Sequence, residues 1–355
     1  MAAAATLGVL LFAGAAVCLG SGCSSIGYYA QAAGGHLDLL GRARPVAEAI
    51  ADPTTPQPLR VRLQLSQRLR QFAVNELKLP DNSSYHRYAD LQRDAVVWNV
   101  VAAPALSLTL RTWCFPIMGC VGYRGYFKRE AADALAAELR AEGWEVNVYG
   151  VPAYSTLGWS NWIGGDPLLN TFIGWPEGEL ARLIFHELAH QVAYAADDTT
   201  FNESFAVAVE RIGSHLWLEQ HAGAPERDAS AATEQRREEF RVLTLRYRDE
   251  LLALFASALD DAVKRERKAA LMASMRQEYE LLKGSRWAGW RGYDAWFAGA
   301  NNASLGVLGA YNELVPDFER LFQRSGGDFA RFYAEVQGLT ALPKTERRAK
   351  LGAPS

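Results

Sequence analysis

His186 and His190 stand four residues apart in Leu183-Ile-Phe-His-Glu-Leu-Ala-His-Gln191, with Glu187 directly after the first histidine. On an α-helix, positions i and i+4 share a face, so two imidazoles can turn toward one ion. Imidazole nitrogen suits zinc, and a catalytic zinc keeps one position open for water. The ion brings the pKa of that water from about 15.7 to near 7. A carboxylate beside it, here Glu187, can take the proton and later pass it to a leaving amine. The spacing therefore suits zinc-dependent hydrolysis of a peptide bond.

A catalytic zinc needs a third protein ligand. A third His at the usual later spacing is absent, because positions 193 and 196 are both Ala. The leading candidate is Glu203, in Phe201-Asn-Glu-Ser-Phe-Ala206, which a helical hairpin would bring back toward the motif. Glu210, two turns later on the same face, is its rival. Asp197 and Asp198 in the intervening turn are further candidates, and His215 and His221 weaker ones. If Glu203 is the ligand, Glu210 or Asn202 can orient a histidine ring from outside.

These side chains need elements to hold them. Pro176, followed by Glu177 and Glu179, opens a helix that the pattern carries to about Ala195. It is apolar on nearly all sides, and buried His and Glu require partners. Asp197-Asp-Thr-Thr200 is a turn, and a second helix runs from about 202 to 220. Upstream, residues 24 to about 78 read as helices. Residues 95–103 and 106–113 read as strands around Pro104, 129–142 as a helix, and 144–149 and 151–157 as further strands. Downstream, 227–283 forms two long charged helices with one packed stripe, Phe240, Leu243, Tyr247, Leu251, Leu254 and Ala258. Another helix spans 302–322, and the tail from Leu342 frays.

The chain has 355 residues, 49% of them hydrophobic, with 37 basic against 40 acidic side chains. That balance, −3 in all, argues against a nucleic-acid partner. Residues 1–22 carry no charged side chain, and the apolar run 7–19 has the length of a signal-peptide core rather than of a bilayer span. Leu19-Gly-Ser-Gly-Cys23 resembles the bacterial lipoprotein cleavage box, which implies lipidation of Cys23. The mature chain is then an exported, membrane-anchored lipoprotein facing the periplasm or the cell exterior. In such an oxidising compartment Cys114 and Cys120 are suited to pair as a short-loop disulfide.

His-Glu-Leu-Ala-His-Gln followed by Asn-Glu-Ser-Phe-Ala resembles the gluzincin metallopeptidases, in particular zinc aminopeptidases whose third ligand lies in such a string. The interval from His190 to Glu203 is shorter than theirs, and their Gly-Ala-Met-Glu-Asn string is absent. The chain as a whole resembles a bacterial family of predicted lipoprotein aminopeptidases. That resemblance rests on Gly22-Cys23 with Tyr28-Tyr29, Trp113-Cys-Phe-Pro116, Tyr123-Arg-Gly-Tyr-Phe127, Ala153-Tyr-Ser-Thr-Leu-Gly158 and the His-Glu region. It implies an α+β fold, mostly α, with a zincin-like core and additional helices. In zincins an edge strand beside the motif helix holds the substrate backbone by strand addition. Tyr154, Ser155 and Thr156 stand in position for that. Tyr123 and Arg124 are candidates for binding a peptide terminus, and Tyr123 and Tyr311 for stabilising an oxyanion.

The expected organisation is a signal peptide at 1–22, a helical region at 23–90, the catalytic core at 91–225, a second helical region at 226–340 and a flexible tail at 341–355. The expected activity is that of a one-zinc aminopeptidase on the cell envelope acting on peptides or proteins. An envelope zinc endopeptidase and a non-catalytic zinc-binding lipoprotein are the alternatives.

Overall fold

The structure is a computed structural model that describes residues 27–29, 31–115, 119–153, 164–196, 198–308 and 314–352. Helix α1 covers residues 31–42. Then come β1 (Arg44–Pro45), α2 (Val46–Ala51), α3 (Gln57–Asn75), β2 (Arg87–Ala89) and β3 (Val97–Ala103). The hairpin β4 (Trp113–Phe115) and β5 (Gly119–Val121) precedes β6 (Arg124–Tyr126), α4 (Arg129–Ala141), β7 (Glu145–Val151), β8 (Leu168–Leu169) and α5 (Asn170–Ile173). The motif lies on α6 (Glu177–Ala189), followed by α7 (Thr199–His221), α8 (Ala224–Ala256) and α9 (Asp261–Ser285). The chain closes with α10 (Asp294–Gly299), α11 (Asn302–Leu308), α12 (Val315–Arg324), α13 (Phe329–Thr340) and α14 (Lys344–Leu351). Helices dominate and the sheets are small, which is an α+β arrangement. Among the described residues no helix is long and apolar enough to cross a membrane.

The largest core surrounds α6. Leu180, Ala181, Ile184, Phe185, Leu188 and Ala189 are all fully buried in the core that α6 shares with α3 and α7, and Phe201 and Phe205 of α7 extend it to Phe318 of α12 and Phe332 and Tyr333 of α13. A second core lies between α8 and α9, where Leu243, Tyr247 and Leu251 meet Met275 and Tyr279. The packed stripe read from the sequence faces that core from Phe240 to Leu254, but Ala258, its last member, lies beyond the end of α8 and is exposed.

β3 is the centre of an antiparallel sheet ordered β6–β3–β7. Val100 and Ala102 face Ala132, Ala136 and Leu139 of α4, while Val101 and Ala103 face Ala303 of α11. A strand covered on both faces needs apolar residues at every position, hence Val-Val-Ala-Ala.

Four expectations need correction. Residues 106–112 are not a strand. Asn302 Nδ2 donates to the carbonyls of Pro104, Ala105 and Ser107, while Ser107 N–H reaches Pro104 O and Arg111 N–H reaches Ala102 O, so these groups are paired without a ladder. The single helix expected over 302–322 is two helices, because Pro316 in the first turn of α12 cannot continue a helix from before it. The motif helix ends at Ala189 rather than near Ala195, in a turn where Gln191 N–H reaches Leu188 O and Val192 N–H reaches Ala189 O. Residues 344–351, expected in a flexible tail, form α14, with Arg347 and Leu351 buried.

Candidate metal centre

Glu179, Arg182, His186 and His190 recur every three or four residues, so they share one face of α6. Glu203 and Glu210, seven apart, share one face of α7, and the two faces meet. The crossing is tight. A Cβ on Gly213 of α7 would stand 3.0 Å from the Phe185 ring, and one on Gly178 of α6 would stand 2.8 Å from Ser230 Oγ of α8. The turn between the helices is fixed by side chains. Asp198 accepts from Phe201 N–H as the N-cap of α7. Asn202 Nδ2 donates to Ala195 O while its Oδ1 accepts from Ala195 N–H, both at 2.7 Å. Gln191 Oε1 accepts from Asn82 Nδ2 at 2.7 Å, tying the end of the motif to the loop before β2.

His186, His190 and Glu203 converge, each offering a ligand atom within 4.8 Å of the others. His186 Nε2 is 3.1 Å from His190 Nε2 and 3.4 Å from Glu203 Oε2, and His190 Nε2 is 3.7 Å from Glu203 Oε2. Neighbouring donors on a tetrahedral zinc are about 3.3 Å apart. Two imidazole nitrogens and a carboxylate oxygen aimed at one point draw either a proton or a cation, so the three residues could hold a metal ion.

The outer contacts agree with that role for His186. Glu210 Oε2 lies 2.8 Å from His186 Nδ1. A carboxylate can only accept, so Nδ1 carries hydrogen and Nε2 is the nitrogen turned toward the centre. Burial opposes charge on the His186 ring, but the Glu203 and Glu210 carboxylates outweigh it and raise its pKa well above the ordinary value. Burial and the neighbouring His186 push His190 down to about 4, against the pull of Glu203. Burial works to raise Glu203, yet His186 and His190 hold it below the usual carboxylate range.

A cavity of about 390 Å³ opens beside His186 and Glu187, walled by Val151, Pro152, Ala153, Trp175, Leu183 and Val207. The outgoing end of β7 therefore reaches the motif. Tyr154, Ser155 and Thr156 follow it but lie outside the described residues, as do Tyr311, Asp197 and Cys23.

The other sequence candidates fall as follows. Tyr123 precedes β6 and packs on the α11 side of the sheet. Burial, with Tyr149 and Glu203 adding to it, pushes its hydroxyl up to about 12, so it keeps its proton near Glu203. Arg124 turns to the other face, its guanidinium 4.4 Å from the Tyr28 ring and 5.7 Å from the Tyr126 ring. Asp198 faces Arg347 and Arg348 rather than the donors. His215 is exposed beside Glu219, and His221 packs 4.4 Å from the Trp217 ring. Asn202 holds the loop at Ala195, not a histidine ring. Cys114 and Cys120 are joined by a disulfide across the β4–β5 hairpin.

Two participants went unnoticed in the sequence. Arg182 contacts Glu210 at 2.5 Å, and its position four residues before His186 was the available signal. Tyr194, half exposed, has its hydroxyl pKa raised by burial and by the Glu203 charge. Nothing in its spacing marked it.

A family model described as "Putative aminopeptidase" matches residues 27–351. No curated protein and no solved structure matches the chain.

Proposed function

The chain belongs to the putative aminopeptidase family, and from that premise we propose that it is a zinc-dependent peptidase that removes amino-terminal residues at the cell envelope. The observation that carries this reading is the donor triangle of His186, His190 and Glu203 with Glu187 beside it, at a cleft. In this reading those three residues hold the ion. Bound there, zinc supplies Lewis acidity, which polarises a carbonyl and makes water a stronger acid.

The chain's own residues do the rest. Glu187 takes the proton of the attacking water on a carboxylate oxygen and delivers it to the leaving amine nitrogen. Glu210 keeps the His186 ring oriented from behind. The substrate backbone lies along the outgoing end of β7, at Val151 to Ala153, by strand addition. Tyr123, protonated at working pH, donates to the oxyanion. The end of β7 at the cleft beside His186 and Glu187 supports reading the core as zincin-like. The leader ending at Cys23, together with the Cys114–Cys120 disulfide, supports an exported, lipid-anchored protein, since disulfides persist in oxidising compartments.

Metal per chain, measured by mass spectrometry on the wild type and Glu203→Ala, tests the site. One zinc in the wild type and a large loss in the variant support it. A peptide library with free and blocked amino termini tests the specificity. Equal cleavage of blocked peptides would replace aminopeptidase by endopeptidase.

A further inference from the structure

Arg182 lies one turn before His186 on α6. Its Nη2 is 2.5 Å from Glu210 Oε1, while the other oxygen of that carboxylate, Oε2, holds His186 Nδ1 at 2.8 Å. Its Nη1 pairs with Glu234 of α8. Glu234 also pairs with Arg237 at 2.7 Å, and Arg237 returns to Glu179 of α6 at 2.5 Å. The signs alternate along the whole run. The side chains of Arg182 and Glu210 are only 12% and 13% exposed, so salt and water screen this pair weakly.

A carboxylate held at one oxygen can turn about its last bond. Held at both, it cannot. Resting on the metal-site reading above, we infer that Arg182 and Glu234 are positioning residues of the metal centre. Arg182 pins Glu210 so that its far oxygen keeps His186 aimed at the ion, and Glu234 pins Arg182. Helix α8 is thereby a working part of the site, although its sequence reads as a solvated support. The guanidinium suits the task because its planar fork meets two carboxylates at once, which an ammonium cannot do in the same geometry. Losing an outer contact of this kind typically weakens metal binding roughly 10–100-fold.

The test is a competition titration of zinc against a chromophoric chelator, on the full chain, with the melting temperature of each zinc-free protein recorded alongside. Arg182→Gln should weaken zinc binding roughly 10–100-fold, with Arg182→Lys recovering part of the loss. Glu234→Gln, at a side chain 40% exposed, should weaken binding less and carries the test if Arg182→Gln does not fold. The double variant should bind no more weakly than Arg182→Gln alone, because the two act through one carboxylate. Arg241→Ala, which breaks a separate α8 pair with Glu238, should bind as the wild type does. Wild-type affinity in Arg182→Gln, with or without a lower melting temperature, would overturn the inference. A wild type that takes up no zinc would overturn the metal-site reading itself.

Discussion

Asn202 and Ala195 exchange two hydrogen bonds of 2.7 Å, amide to carbonyl and backbone N–H to amide oxygen, in the manner of a β-bridge. Asn202 is buried, and the residue after it is Glu203. The loop that leaves the motif helix is thus clamped to the first turn of the next helix, one position before the third donor.

Asn202→Ala should cost about 3 kcal/mol of stability, because it leaves a buried N–H and a buried C=O unpaired. It should also weaken metal binding without touching a ligand. Urea unfolding of the zinc-free protein and zinc titration would measure the two effects. An unchanged stability would mean that water replaces the amide fully.

Glu187→Gln should keep the metal and lose turnover by roughly 10²–10⁴-fold, the usual contribution of a general base. Zinc content and peptide cleavage measured on one preparation check both halves. An active variant would remove Glu187 from the mechanism.

Chelation should abolish activity and leave the fold standing. The core around α6 is apolar and closed by Phe185, Leu188, Phe201 and Phe205, all of them fully buried, so it does not depend on the ion for its packing. Far-ultraviolet circular dichroism before and after chelation should be nearly superimposable, with a lower melting temperature afterwards. Wholesale loss of helicity would mark the ion as structural.

Asp198 predicts an acid limit. Burial works to raise its carboxyl, but hydrogen bonds from Arg348 and from Phe201 N–H, with the charges of Arg348 and Lys344, hold it below its ordinary 3.8. A depressed carboxyl stabilises the fold above its unfolded-state value and loses that contribution as pH falls through the folded value. Stability should therefore drop below about pH 4, and Arg348→Ala, at a cost of about 2 kcal/mol near neutrality, should blunt the drop. Calorimetric scans from pH 3 to pH 7 on both proteins would reveal it. Parallel curves would assign the acid sensitivity to other carboxylates.

The local parts of the site were legible. His186, Glu187 and His190 announce themselves because one helical turn brings them together, and the burial of α6 follows from its unbroken apolar surround. Glu203 could be found because α7 follows α6 after a short turn. The relay through Arg182 and Glu234 could not, because it depends on how α8 crosses α6, which local periodicity does not record. Pairing partners escaped for the same reason. The chain near Ser107 has strand-like residues, yet Asn302, nearly two hundred positions away, takes its carbonyls. The charged sequence of α14 reads as tail, but its arginines have a buried partner in Asp198.

Arg347 and Arg348 secure Asp198, and Asp198 starts the helix that carries Glu203. The order of synthesis then matters. A ribosome finishes all three donor residues about 140 residues before it reaches this latch. A growing chain holds the parts of the centre early but cannot brace the loop between them until α14 has been made. A stop before Lys344 would leave every donor residue in place and still deprive Asp198 of Arg347 and Arg348.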